Sequence, residues 1–229
     1  MKGAWAPGAV ACYLGVVKSD ACESRAGYLG YVAHELRNPL STALWCTELL
    51  GSMQAADRGG PRGVKLALTA RRAIGRLSRL IEDHLLAERL EAGGMAVRVE
   101  ELPLGELLAE AAARAAGPAG ADVEAPEGLH IQGDRGLWTR ALEALVAAAA
   151  RGGSRVRAQV LSAPAGVVMT IRGSPVGPED LELPRRGSPS DPSGASLGLV
   201  VAWAVAASQG ASLAASDGAL VLTWPGSRP

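Results

Sequence analysis

From about Ser24 to Leu50, apolar or small residues return at alternating spacings of four and three, at Leu29, Ala33, Leu36, Leu40, Ala43, Thr47 and Leu50. That is the heptad spacing of a long helix packed along a seam in a helix bundle. The stretch Gly51 to Gly63, with Gly59-Gly60-Pro61, breaks the pattern as a loop. A second apolar stripe follows across Val64 to Ala92, through Ala70, Ala73, Ile74, Leu77, Leu80, Ile81 and Leu85, with Arg71, Arg72, Arg76 and Arg79 on or near its flanks. Gly93-Gly94 ends it. One such antiparallel hairpin leaves a wide apolar seam uncovered, so two copies pairing as a four-helix bundle are expected, making the protein a homodimer.

Beyond the glycine pair the period changes. Met95 to Leu102 alternates as a strand does, Leu104 to Ala116 reads as an alanine-rich helix, and Gly117-Pro118 stops it. Leu129 to Gln132 is a short strand candidate, and Asp134 is the expected N-cap of a helix from Arg135 to Arg151. Two strand-like segments, Arg155 to Leu161 and Gly166 to Arg172, lead into a Gly/Pro/Ser-rich stretch from Gly173 to Gly194. A helix from Leu197 to Ser208 and a strand from Leu220 to Thr223 complete the order. The fold class expected is α+β, a helical hairpin followed by an α/β sandwich with helices on one face of a sheet. This divides the chain into an N-terminal segment (1–23), a bundle domain (24–94) and a sheet domain (95–229).

Composition narrows the function classes. With 229 residues and 48% hydrophobic content the chain can fill real cores. Its 23 basic and 23 acidic residues cancel and form no strong basic run, so nucleic acid is not the expected partner. Cys12, Cys22 and Cys46 form neither a Cys-x-x-Cys pair nor a Cys/His cluster, which argues for a reducing compartment, cytoplasmic, and against structural zinc. Met1-Lys2 followed by apolar Ala4 to Val17 faintly resembles a signal segment, but it falls short of the roughly 20 apolar residues a membrane span needs, and no membrane partner is expected. Only 33 residues precede His34, too few for a sensor domain, so a stimulus is expected to arrive through another protein.

The chemistry concentrates in His34-Glu35-Leu36-Arg37-Asn38-Pro39-Leu40 on the first helix. Residues four apart share a helical face, so His34 and Asn38 address the same incoming partner while Glu35 sits beside the ring. Neutral imidazole is nucleophilic near physiological pH, and a carboxylate at one ring nitrogen fixes the tautomer that leaves the other free to attack phosphorus. His34 is therefore the candidate phosphoacceptor and Glu35 its orienter or base. This run resembles the phosphoacceptor box of two-component histidine kinases. The resemblance implies that the Asn38 amide positions a water that hydrolyses a partner's aspartyl phosphate, and that Pro39 kinks the helix after the site.

The order of elements after Gly94 resembles the ATP-binding domain of the same kinases, extending the likeness over about Ser24 to Pro225. Its nucleotide boxes are degraded. Where active members carry an Asn-x-x-x-Asn pair that holds magnesium, the matching helix reads Glu143-Ala144-Leu145-Val146-Ala147, and Asn38 is the only asparagine in the chain. Where they end a strand in Asp-x-Gly-x-Gly to bind adenine, this strand runs from Val168 to Gly177 without an acid. The phenylalanine box is missing from a chain with no Phe, and the segment expected as the nucleotide lid, Leu183 to Ser193, is short and contains three prolines. The run Gly194-Ala195-Ser196-Leu197-Gly198-Leu199 is close to the family's glycine-rich turn, so Gly194, Ser196 and Gly198 are the candidate remnant of a nucleotide loop. His84 and His130 read as structural, and the five tryptophans as scattered.

This combination resembles the dimeric histidine phosphotransferases, which keep a kinase-like bundle and a relic ATP-binding domain. It implies that His34 exchanges a phosphoryl group with aspartates of response-regulator receiver domains, in a relay fed by an upstream hybrid kinase. No cofactor and no metal site are then expected in this chain. ATP and magnesium enter under the alternative of an active histidine kinase, and a non-catalytic pseudokinase scaffold is the third reading.

Overall fold

A computed structural model describes residues 8–163, 166–178, 180–181 and 195–225 of the protein, with side chains of the first and last stretches from residues 28 and 197 onward. Helix α1 (Gly8–Ser52) and helix α3 (Pro61–Glu91) make the hairpin, joined through a short helix α2 (Ala55–Arg58). The first helix thus begins well before Ser24, because no proline or paired glycines interrupt it between Gly8 and Pro39. Pro61 opens α3 at its first turn, where a missing N–H costs nothing.

The hairpin's internal contact uses little of the seam expected on α1. Tyr28, Tyr31, Val32, Glu35, Pro39, Ala43 and Cys46 are buried, whereas Leu29, Ala33, Leu40 and Thr47 are exposed. Most of the heptad stripe thus faces outward, and Ile74, Ile81 and Leu85 of α3 are exposed as well. Two adjacent apolar stripes account for the discrepancy, since a helix that contacts its own hairpin partner and another body needs both.

The second unit begins with strand β1 (Glu100–Pro103), helix α4 (Leu104–Ala115), strand β2 (Ala121–Glu124), strand β3 (His130–Gly133) and helix α5 (Arg135–Ala149). Strands β4 (Val156–Ala163) and β5 (Gly166–Arg172), helix α6 (Ala195–Ser208), and strands β6 (Ser212–Ser216) and β7 (Ala219–Pro225) follow. The main sheet has the order β2-β4-β5-β7-β6, parallel only between β2 and β4, while β1 and β3 form a separate antiparallel pair. Val156, Ala158 and Val160 of β4, Met169 and Ile171 of β5, and Leu220 and Leu222 of β7 all point to the buried face. Alternate residues such as Arg157, Gln159 and Leu161 are exposed, so the helices cover one face, as the period of two requires.

Asp134 caps α5 as expected, its Oδ1 accepting from the Leu137 N–H at 3.1 Å while Oδ2 accepts from the Arg98 N–H at 3.1 Å. Two tryptophans expected to be scattered meet instead: the Trp138 and Trp224 rings lie 5.0 Å apart at 51° in the core. The strand expected from Met95 is regular only from Glu100, where β3 supplies its hydrogen-bonding partner.

One apolar cluster runs through both units, joining Tyr31 and Val32 of α1 and Leu80, Ala87 and Leu90 of α3 to the core of the sheet domain. The Arg140 guanidinium of α5 reinforces this contact, donating to Asp83 at 2.7 Å and to Glu82 at 3.2 Å on α3. Burial pushes the Asp83 carboxyl above the ordinary carboxylate value, with the hydrogen bond from Arg140 opposing that rise. Arg140→Ala leaves this half-buried acid without its donor and should lower stability by about 1–2 kcal/mol, measured as a shift of the urea midpoint.

At the sheet edge, Arg155 grips Asp122 of β2 with two contacts of 2.8 and 2.6 Å. The hydrogen bond from Arg155 holds the Asp122 carboxyl below its ordinary value of 3.8. Its stabilising contribution is therefore present above the unfolded value and is lost as pH falls through the folded one. Amide exchange in β2, followed with pH normalised against intrinsic rates, should speed up on the acid side in the native protein. In Asp122→Asn that acid-side change should be absent.

Candidate functional site

The box lies in mid-helix on α1, and the helix sorts its residues by face. His34 is 43% exposed, Arg37 and Asn38 are exposed, and Glu35 points inward with only 1% of its side chain accessible. His34 and Asn38, four residues apart, share the outward face. Pro39 is buried one residue on and has no N–H to offer the Glu35 carbonyl, so the backbone ladder is broken within the box itself.

The Nδ1 atom of His34 is buried and faces Glu35 Oε1 at 3.7 Å. With Nδ1 turned inward, Nε2 is the ring nitrogen left for chemistry on the outer face. The other Glu35 oxygen, Oε2, faces the Arg76 guanidinium at 3.6 Å. Arg76 comes from α3, so the hairpin rather than the box alone assembles this arrangement. A fully buried carboxylate is rare unless it is paired, and here it lies between an imidazole and a guanidinium. Arg76 had no distinguishing signal in sequence; only the pairing of α3 against α1 singles it out from Arg71, Arg72 and Arg79.

The other histidines are held structurally. The Tyr28 hydroxyl and His84 Nδ1 are 3.0 Å apart across the hairpin, and His130 Nδ1 lies 2.9 Å from the Gly128 carbonyl oxygen. Glu101 of the neighbouring strand approaches His130 at 3.9 Å, a pairing created by the β1–β3 register and unseen in the linear order.

Glu143, Ala147 and Gly198, three positions of the expected nucleotide boxes, line one open cavity of about 860 Å³ between α3, α4, α5 and α6. Glu143, at the first metal-holding position, is engaged by Arg114 of α4 at 2.9 Å. Ala147, at the second, is an exposed methyl that can ligate nothing. Gly198 is seated on α5 so closely that a Cβ there would lie 3.1 Å from the Ala144 Cβ. At the strand end, the Ser174 N–H donates to the Ala149 carbonyl at 2.6 Å, and a Cβ on Gly173 would collide with that same carbonyl. Gly194 and the expected lid lie outside the described residues, as does the side chain of Ser196. No group of three or more His, Cys, Asp or Glu residues able to hold a metal ion occurs among the described residues.

The pattern of the His Kinase A (phospho-acceptor) domain matches residues 24–93. Those residues are a histidine-kinase phosphoacceptor domain. The sensor protein DivL of Caulobacter vibrioides is 34% identical over 97 residues, which are 42% of this chain and 12% of that protein. The matched segment therefore spans about an eighth of that relative's length. The histidine kinase AdeS of Acinetobacter baumannii superposes with a TM-score of 0.64 at 15% identity, over 85% of this chain and 98% of that one, which shows the shared fold. A bacterial phosphotransferase superposes at a TM-score of 0.44 with 17% identity, over 88% of this chain and 95% of that one. The chain is consistent with the two-component sensor histidine kinase family and with two-component signalling. Among the described residues, no helix is long and apolar enough to cross a membrane.

With Glu143 engaged by Arg114 and Ala147 offering no ligand, magnesium nucleotide is expected to bind weakly or not at all. Calorimetry with magnesium and ATP should show no saturable binding in the micromolar range. A micromolar dissociation constant, lost on Gly198→Val, would contradict it.

Proposed function

We propose that this chain is a histidine phosphotransfer protein of two-component signalling, in which His34 accepts a phosphoryl group from the aspartate of one response-regulator receiver domain and passes it to another. The observation that carries this reading is a contrast within one molecule. The acceptor imidazole is exposed with a buried carboxylate behind it, while the groove that would load ATP has its metal position engaged by Arg114.

In the transfer step Nε2 of neutral His34 attacks phosphorus, a P–N bond forms, and the acyl P–O bond to the receiver's aspartate breaks with release of its carboxylate. The Nδ1 proton stays on the ring, and the Glu35 carboxylate balances the imidazolium charge. Return of the phosphoryl group to a second aspartate is the same step reversed. Magnesium belongs to the receiver in this scheme. The relic domain serves as a docking surface or steric limit for that receiver, and an upstream hybrid kinase supplies the phosphate.

The outer apolar stripe supports a homodimer, since Leu29, Leu40, Ile74, Ile81 and Leu85 are too contiguous along the hairpin to be left in water. Light scattering should give twice the 23.4 kDa chain mass at micromolar concentration. Leu40→Glu, which places a charge at this stripe, should shift the protein toward monomer. A cytoplasmic setting without nucleic-acid or membrane partners fits this scheme.

The test is transfer from a labelled phosphoreceiver. His34→Gln should abolish acceptance while the dimer remains folded. Glu35→Gln should slow transfer by about 10²–10⁴-fold without removing it, the range general acid–base groups contribute. Asn38→Ala should keep transfer and lose any dephosphorylation of the receiver. Label uptake persisting in His34→Gln would overturn the site.

A further inference from the structure

We infer that Arg76 is a positioning residue of the acceptor site, acting on His34 through Glu35; the inference rests on the phosphotransfer reading of that site. Glu35 is the one charged side chain among the described residues that is fully buried, and its two oxygens face different groups. Oε1 faces His34 Nδ1 at 3.7 Å, and Oε2 faces Arg76 Nη2 at 3.6 Å. Arg76 is itself only a third exposed, and its Nε is buried. The three groups thus form a line from solvent-facing imidazole through buried carboxylate to guanidinium, crossing from α1 to α3.

A carboxylate so deeply buried is costly to ionise, and it remains an anion only where positive charge and hydrogen-bond donors face it. The Arg76 guanidinium supplies that charge on the side away from the ring. It therefore does two things for the imidazole. It favours Glu35 as the carboxylate, which selects the Nδ1–H tautomer of His34, and it fixes the direction in which that carboxylate points. If Arg76 were replaced by a neutral residue, Glu35 would tend to hold a proton. A neutral carboxyl neither selects the tautomer nor balances the charge that develops on the phosphorylated ring. An arginine kept only to solubilise the flank of α3 would be exposed and aimed outward, as Arg71 and Arg72 are.

The experiment uses the full chain and a donor that needs no protein partner. Potassium phosphoramidate phosphorylates exposed imidazole, its P–N bond breaking with loss of ammonia as the P–N bond to His34 forms. Rates of His34 phosphorylation are compared in the parent protein, Arg76→Gln and Arg76→Lys, each also in the Glu35→Gln background. Nitrogen-15 NMR of the His34 ring reads the tautomer in the same proteins. Arg76→Gln should slow phosphorylation by roughly 10- to 100-fold, the range reported for partners that orient a functional group from behind. It should also move the ring toward the tautomer ratio of free imidazole. Arg76→Lys should restore most of the rate and the Nδ1–H tautomer. In the Glu35→Gln background Arg76→Gln should add nothing, because the path runs through Glu35.

An unchanged rate and tautomer in Arg76→Gln would overturn the assignment, as would the same slowing in the presence and absence of Glu35. If Arg76→Gln does not fold, Arg76→Lys decides alone: a folded Lys variant as slow as Glu35→Gln overturns it, and one near the parent rate supports it. Parent protein that shows this Arg76 dependence with phosphoramidate, yet accepts nothing from any phosphoreceiver, would refute the phosphotransfer reading and leave the positioning role standing.

Discussion

Helix α3 is packed on two sides at once, and most of the structure's behaviour follows from that constraint. It closes on α1, where Glu35 is buried, and it carries Leu80, Ala87 and Leu90 into the one apolar cluster that joins Tyr31 and Val32 of α1 to the core of the sheet domain. The Arg140 contacts to Glu82 and Asp83 fasten the same helix to α5. A swing of the sheet domain over the acceptor helix would have to expose this apolar surface and break those contacts together. In this arrangement the sheet domain is a fixed neighbour of the acceptor site.

The two halves of the molecule use similar residues to opposite ends. In the hairpin, a carboxylate and an arginine are set in line behind an imidazole, so their charges act on a group that solvent and partners can reach. In the cavity, Glu143 and Arg114 engage each other, while Gly198 and Ala144 close the space beside them. These contacts hold α4, α5 and α6 together. The fold common to histidine kinases is retained, with its interior pairing made internal.

The helices were legible because their apolar spacing is strong and their ends are marked, as at Asp134 and Gly93-Gly94. Strands β2 and β6 were not, since Ala121–Glu124 and Ser212–Ser216 are rich in small or polar residues with little strand preference. They exist because β4 and β7 offer them edges, and for β2 because Arg155 grips Asp122. The run from His34 to Leu40 was legible as a compact linear motif. The approach of Arg76 to Glu35 was not, because the register of two helices creates it, and neither was the pairing of Glu143 with Arg114, which lie 29 positions apart. The heptad stripe was expected as the bundle seam, yet the hairpin's own contact lies mostly one stripe over, where Tyr28, Tyr31 and Val32 carry it and Ala43 is shared.

In the proposed function, phosphate reaches His34 from another protein's aspartate and not from nucleotide. The most direct measurement presents the purified chain with γ-labelled ATP and magnesium in one sample, and with a labelled phosphoreceiver in another, and follows acid-labile, base-stable label on the chain over time. Label from the receiver alone is the predicted result. Label from ATP alone, dependent on His34, would contradict the claim and make the protein an autophosphorylating kinase.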